Sequence, residues 1–187
     1  MWGCGKAGAC LRLGITSAWV LLAPAGSSSA QASIASIEGA ASASSLRTTL
    51  RGEREIRAFR RAAAGALRRL ERPKCQRLFS EFRSGSGRTL QEELDALGQT
   101  PTSFMGGVLF ADGRDERPCA DANILAMTQP GSRAIWICGR QFTREYERGD
   151  PGLTEAVLIH EALHALGLGE NPPSSMSITT RVRARCG

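Results

Sequence analysis

Between residues 46 and 72 the apolar positions Leu46, Leu50, Ile56, Phe59, Ala63, Leu67 and Leu70 recur at three- and four-residue steps, with one longer gap. Arg47, Arg51, Arg54, Arg57, Arg60, Arg61, Arg68 and Arg69 occupy the positions between them. That period puts the two sets on opposite faces of a helix, which Pro73 then breaks. An arginine face of this kind is most often solvated around an apolar stripe packed on a domain. The sharper alternative is a surface or propeptide helix that meets an acidic partner or a membrane face.

Downstream the periods shorten. Cys75 to Phe82 and Thr89 to Leu97 read as short helices separated by the Gly/Ser turn at 84–87. Phe104 to Phe110 reads as a strand ending at Ala111-Asp112-Gly113. Ile124 to Thr128 and Ala134 to Cys138 read as two more, joined through the turn at Pro130-Gly131. Gln141 to Arg148 has helical spacing, and Asp150-Pro151-Gly152 is a turn. Thr154 is the expected N-cap of a helix that runs through Ala165 and stops at Gly167. A last helix, Met176 to Arg185, follows Pro172-Pro173 with Ser174 or Ser175 as its cap. Mixed helices and short strands predict an α+β domain.

The N-terminus has a different character. Lys6 and Arg12 precede a short apolar run, Ile15 to Ala25, and small residues lead to Ala30-Gln31-Ala32. This is the layout of an export signal, here residues 1–32 with cleavage after Ala32. The run is too short for a membrane span, which takes about 20 residues. The expected location is therefore secreted or periplasmic. Residues 33–45, rich in Ser and Ala, read as a linker.

Composition narrows the function. Aromatic residues are 5% of the chain with a single tyrosine, so a stacking platform for single-stranded nucleic acid is not expected. The net charge is +6, and 22 of the 24 basic residues are arginine, which suits acidic surfaces without naming one. No glycine-rich loop followed by Lys-Ser/Thr is present to cradle phosphate. Beyond residue 32 the cysteines are Cys75, Cys119, Cys138 and Cys186, an even set that suits two disulfides in an exported chain. Three pairings are open. Position along the chain favours Cys119–Cys138 and Cys75–Cys186, and the absence of a CxxC pair argues against a Cys4 zinc cluster.

The chain has two histidines, and both fall in one segment, His160-Glu161-Ala162-Leu163-His164. Positions i and i+4 of a helix share a face, so both imidazoles can aim at one metal ion, while Glu161 can reach a water held there. This is the HExxH arrangement: two zinc ligands and a general base. A catalytic zinc usually takes three protein ligands. Downstream of His164 the chain offers one carboxylate, Glu170, and Gly167 can turn the chain back to bring it in. His160, His164 and Glu170 are thus the candidate metal ligands, and Glu161 the candidate catalytic residue. Cys186 is the other downstream donor, and it is expected in a disulfide.

The stretch from His160 to Glu170 resembles the extended zinc motif of the metzincin clan of metallopeptidases, HExxHxxGxx followed by a ligand. His160 and His164 match its ligands, Gly167 its turn and Glu161 its base. Glu170 stands where most members carry histidine and some small secreted bacterial members carry aspartate. Met176 lies too close to Glu170 for the clan's methionine turn. The resemblance implies a zincin-like fold, with a small mixed sheet on an active-site helix and a peptide-binding edge strand, for which Ala134 to Cys138 is the candidate. It also implies a zinc endopeptidase acting on peptide or protein substrates. Tyr146 is a candidate oxyanion stabiliser, as in several zincins, or a packing residue. The expected organisation is a signal at 1–32, a linker and basic helix at 33–72 that is also a candidate propeptide, and a catalytic domain at 73–187. The competing expectation is a non-catalytic zinc-containing module that binds an acidic partner through the 46–72 helix.

Overall fold

The computed structural model describes residues 42–187; the expected export signal, the expected cleavage site after Ala32 and most of the expected linker lie outside the described residues. Four short strands form one sheet in the order β1-β2-β4-β3. They are β1 (Arg47–Thr48), β2 (Leu109–Asp112), β3 (Ala126–Met127) and β4 (Ala134–Ile137). β1, β2 and β4 run parallel, with Arg47 opposite Leu109 and Leu109 opposite Ala134, and β3 pairs antiparallel to β4. Alternation gives the sheet one buried face, Phe110, Ile135 and Ile137, onto which helices pack. These include α1 (Glu53–Leu70), α6 (Gly139–Arg148) and α7 (Pro151–Ala165). The Phe59 ring of α1 meets that of Phe110 with centroids 4.8 Å apart. The molecule is a mixed α+β fold, as expected.

The helix expected over 46–72 begins later. Leu46 and Leu50 are four apart, a spacing that fits a strand face as well as a helix face, and both are buried around β1. Gly52 is the N-cap of α1. From there the periodicity holds: Ala58, Phe59, Ala62, Ala63, Ala66, Leu67 and Leu70 are buried, and the arginines Arg54, Arg57, Arg61 and Arg68 stay exposed. The apolar stripe lies in the same core as the residues after 73, so the division expected at Pro73 is not a boundary of packing. Arg69 at the end of α1 reaches Glu155 of α7 at 2.5 Å and the Cys186 carbonyl at 2.7 Å. Gly65 lets the helices close here, because a Cβ would run into the Glu155 carboxylate.

Pro73 starts the short helix α2 (Pro73–Gln76), and α3 (Leu78–Glu81) follows. Thr89 caps α4 (Leu90–Ala96) in a reciprocal arrangement with Glu92. Of the strand expected over 104–110, residues 104–106 close a helix, α5 (Pro101–Gly106), and only Leu109 and Phe110 belong to a strand, β2. Thr100 caps α5 by accepting from the Ser103 amide, and Pro101 supplies a helical φ at N1. The apolar run in 104–110 gave no warning of that start signal. α7 likewise begins earlier than expected: Asp150, not Thr154, is its N-cap, accepting from the Gly152 amide, again with Pro at N1. α8 (Ser175–Cys186) is capped by Ser174 as expected.

Both expected disulfides are present, Cys75–Cys186 and Cys119–Cys138. The first ties α2 to the end of α8, and the second ties β4 to the segment preceding β3. Two disulfides fit an oxidising compartment. Among the described residues no helix is long and apolar enough to cross a membrane.

Candidate metal centre

α7 is buried along most of its length, from Leu158 to Ala165 without a break. It ends in a turn closed by the Leu168 amide donating to the Leu163 carbonyl and the Gly167 amide to the His164 carbonyl. Gly167 sits at φ 113°, the left-handed position that this kind of helix end needs. The turn is pinned from outside, with the Gly85 amide donating to the Gly167 carbonyl at 3.0 Å. It reverses the chain under the histidines and brings Glu170 back to them.

One helical turn apart on α7, His160 and His164 place their Nε2 atoms 3.0 Å from each other. Glu170 Oε1 lies 3.2 Å from His164 Nε2 and 3.8 Å from His160 Nε2. Among the described residues these three form the group of His, Cys, Asp or Glu side chains able to hold a metal ion. Donors about 2.1 Å from a tetrahedral ion stand roughly 3.4 Å from one another, so the three atoms sit at the spacing that an ion demands. Both imidazoles are buried, while the Glu170 side chain is 40% exposed and marks the solvent side.

Each imidazole is also held from behind. His164 Nδ1 lies 2.6 Å from the Leu168 carbonyl, which can only accept, so Nδ1 carries the proton and Nε2 presents its lone pair to the cluster. His160 Nδ1 lies 2.9 Å from the Thr179 hydroxyl of α8. Burial, with His164 adding to it, pushes the His160 pKa down to about 3, so at neutral pH the ring is uncharged, as a metal ligand must be.

Glu161 lines the same cleft and is 7% exposed. Burial, reinforced by the Glu170 charge and opposed by the Thr128 amide, raises its pKa to about 8. A cation in the cluster would favour its ionised form.

The cleft has a volume of about 520 Å³. Its walls are α7, through Leu153 and Val157; the segment 123–128 that includes β3; and α8, through Ser175 and Thr179. The edge strand beside the cluster is therefore β3. β4, the expected one, is internal, paired on both sides, because the Pro130-Gly131 turn folds β3 outward as the last strand. That turn is tied to the site by the Gly131 amide, which donates to the His164 carbonyl. Tyr146 packs against the core from α6 and takes no part in lining the cleft.

The four residues expected from sequence, His160, Glu161, His164 and Glu170, all line one cleft. Thr179, the Leu168 carbonyl and the Thr128 amide were not foreseen. No sequence signal marks a main-chain group, and Thr179 reaches His160 only through the docking of α8. Comparison with protein-family models, with curated proteins and with solved structures yields no match.

Proposed function

We propose that the chain is an exported zinc-dependent metallopeptidase of zincin-like architecture. The observation that carries this reading is the convergence of His160 Nε2, His164 Nε2 and Glu170 Oε1, with a buried carboxylate, Glu161, in the same cleft. Three protein donors suit a catalytic ion, which keeps a position for water or substrate. Zinc bound here would supply Lewis-acid polarisation of a carbonyl and lower the pKa of a coordinated water to about 7. Glu161 would take the proton from the attacking water and return it to the leaving amine. β3, hydrogen-bonded on one side only, offers main-chain groups to an extended peptide laid along the cleft. Two histidines and a carboxylate also suit non-haem iron(II), but the second carboxylate beside the cluster favours hydrolysis.

The non-catalytic alternative uses the exposed arginines of α1 to meet an acidic partner, with a structural ion. A structural zinc normally takes four protein ligands, and the cluster supplies three.

The test is proteolysis of an unfolded protein substrate by wild type and Glu161→Gln, each zinc-loaded and each with chelator. The wild type is expected to cleave only when loaded, and Glu161→Gln to lose roughly 10²–10⁴-fold while still binding zinc. Full activity in Glu161→Gln, or in chelator, would refute the proposal.

A further inference from the structure

The two histidines are equivalent in the motif and unlike in their surroundings. His164 Nδ1 faces a carbonyl, whereas His160 Nδ1 faces a hydroxyl. A carbonyl only accepts; a hydroxyl donates or accepts by rotating about its C–O bond. We infer that His160 is a tautomer-switching ligand with Thr179 as its positioning residue, while His164 is held in a single tautomer. This rests on the reading of the cluster as a metal site.

The difference matters first when no metal ion is bound. His164 donates from Nδ1 to the Leu168 carbonyl, so the neutral ring has an acceptor at Nε2. If His160 also carried its proton on Nδ1, two lone pairs would face each other at 3.0 Å, with the Glu170 carboxylate 3.2 and 3.8 Å away. Three acceptors converging with no proton between them repel, and the two ring nitrogens are buried away from water that could intervene. His164 cannot relieve this, because its one N–H is already donated to Leu168. His160 can. With its proton on Nε2 it donates to His164 Nε2 across the same 3.0 Å, and its Nδ1 becomes an acceptor from the Thr179 hydroxyl at 2.9 Å. Every buried ring nitrogen is then satisfied.

Capture of a metal ion reverses the His160 ring. Nε2 gives its proton to solvent and exposes its lone pair, and Nδ1 takes one proton up. The ring stays neutral, with no net change in bound protons. The Thr179 hydroxyl turns and now accepts. A hydroxyl at this position therefore serves both states, where a carbonyl or a methyl serves at most one. The position of Thr179 is set by the rest of α8: the Ser174 cap, the buried Ile178 and Val182 on either side, and the Cys75–Cys186 bond at the far end.

The chain has two histidines, so nitrogen-15 NMR of the histidine-labelled full chain gives four ring nitrogens to assign. In chelator, His160 is expected as the Nε2–H tautomer and His164 as Nδ1–H; with one equivalent of Zn²⁺, both are expected as Nδ1–H. Thr179→Ser should keep this pattern and hold the Zn²⁺ dissociation constant within about threefold, whereas Thr179→Val should weaken it roughly 10–100-fold. Two results overturn the inference while leaving the metal site standing: Nδ1–H on both rings without metal, or Zn²⁺ binding by Thr179→Val as tight as wild type. A wild-type chain whose histidine signals ignore Zn²⁺ overturns the metal site and the inference together. The wild-type tautomers alone decide the matter should Thr179→Val fail to fold.

Discussion

The buried Glu161 carboxyl makes the stability of the metal-free protein depend on pH in a way that a single substitution isolates. Its pKa is raised from 4.5 unfolded to about 8 folded, chiefly by burial. A carboxyl raised in this way holds its proton in the native state over a range where the unfolded chain has released it. Its contribution is fully present below pH 4.5 and is lost as pH rises through 8. His160 works oppositely: lowered from 6.5 to about 3, it costs stability as pH falls below 6.5. The two slopes cancel between pH 4.5 and 6.5, and of the two only Glu161 acts above 6.5. One group in this window changes stability by about 1.4 kcal/mol per pH unit, so the native state should weaken by about 2 kcal/mol from pH 6.5 to 8. Glu161→Gln carries no titrating proton and leaves His160 and every other group in place. Urea unfolding of both proteins in chelator, at half-unit steps from pH 6 to 8, measures the difference directly. The gap between them should move by about 1.4 kcal/mol per unit in favour of the glutamine variant as pH rises. Parallel curves would refute the reasoning, because they would mean that Glu161 is ionised in the folded metal-free protein.

Three further outcomes follow from the packing. Gly167→Ala forces a side chain into φ 113° and sets its Cβ 3.2 Å from that of Ser84; a loss of about 1–3 kcal/mol is expected in urea unfolding, with weaker Zn²⁺ binding because the Leu168 carbonyl shifts beneath His164. Replacing Cys75 and Cys186 by serine opens a loop whose ends are 111 residues apart, which should cost about 4 kcal/mol, read as a lower urea midpoint under oxidising conditions. Removing residues 42–72 strips the fully buried Phe59 and Leu70 from the core, so the remainder should show no cooperative thermal transition; a sharp transition would restore the propeptide reading.

The convergence of the four candidate residues was the most legible feature of the chain because it is local. His160, Glu161 and His164 lie within one and a half turns of one helix, and Gly167 announces the reversal that returns Glu170. Ser174 before α8 was legible for the same reason, since a capping hydroxyl acts on amides two or three residues away. The two disulfides were narrowed by position in the chain, not dictated by it. What failed depended on distance. Leu46 and Leu50 suit a strand or a helix alike, and only Leu109 and Phe110, some sixty residues on, decide for β1. Phe104 looks like strand until Thr100-Pro101 is weighed as a helix start. That β3 and not β4 is the edge, and that α1 shares the core, are facts of three-dimensional order which no window of sequence contains. Thr179 belongs to the same class.

The placement of α1 has a kinetic side. This helix offers its apolar stripe early in the chain, but Arg69 finds Glu155 86 residues later and the Cys186 carbonyl 117 residues later, and β1 waits for β2 across 62. Pairings that remote must pay loop-closure entropy before they stabilise anything, which slows folding toward the millisecond-to-second range. Until β2, α6 and α7 have all arrived, Phe59, Leu67 and Leu70 have only part of their cover. The interval in which this protein is most open to aggregation and proteolysis is therefore its assembly, and the arginines spaced along the same helix keep that waiting surface soluble.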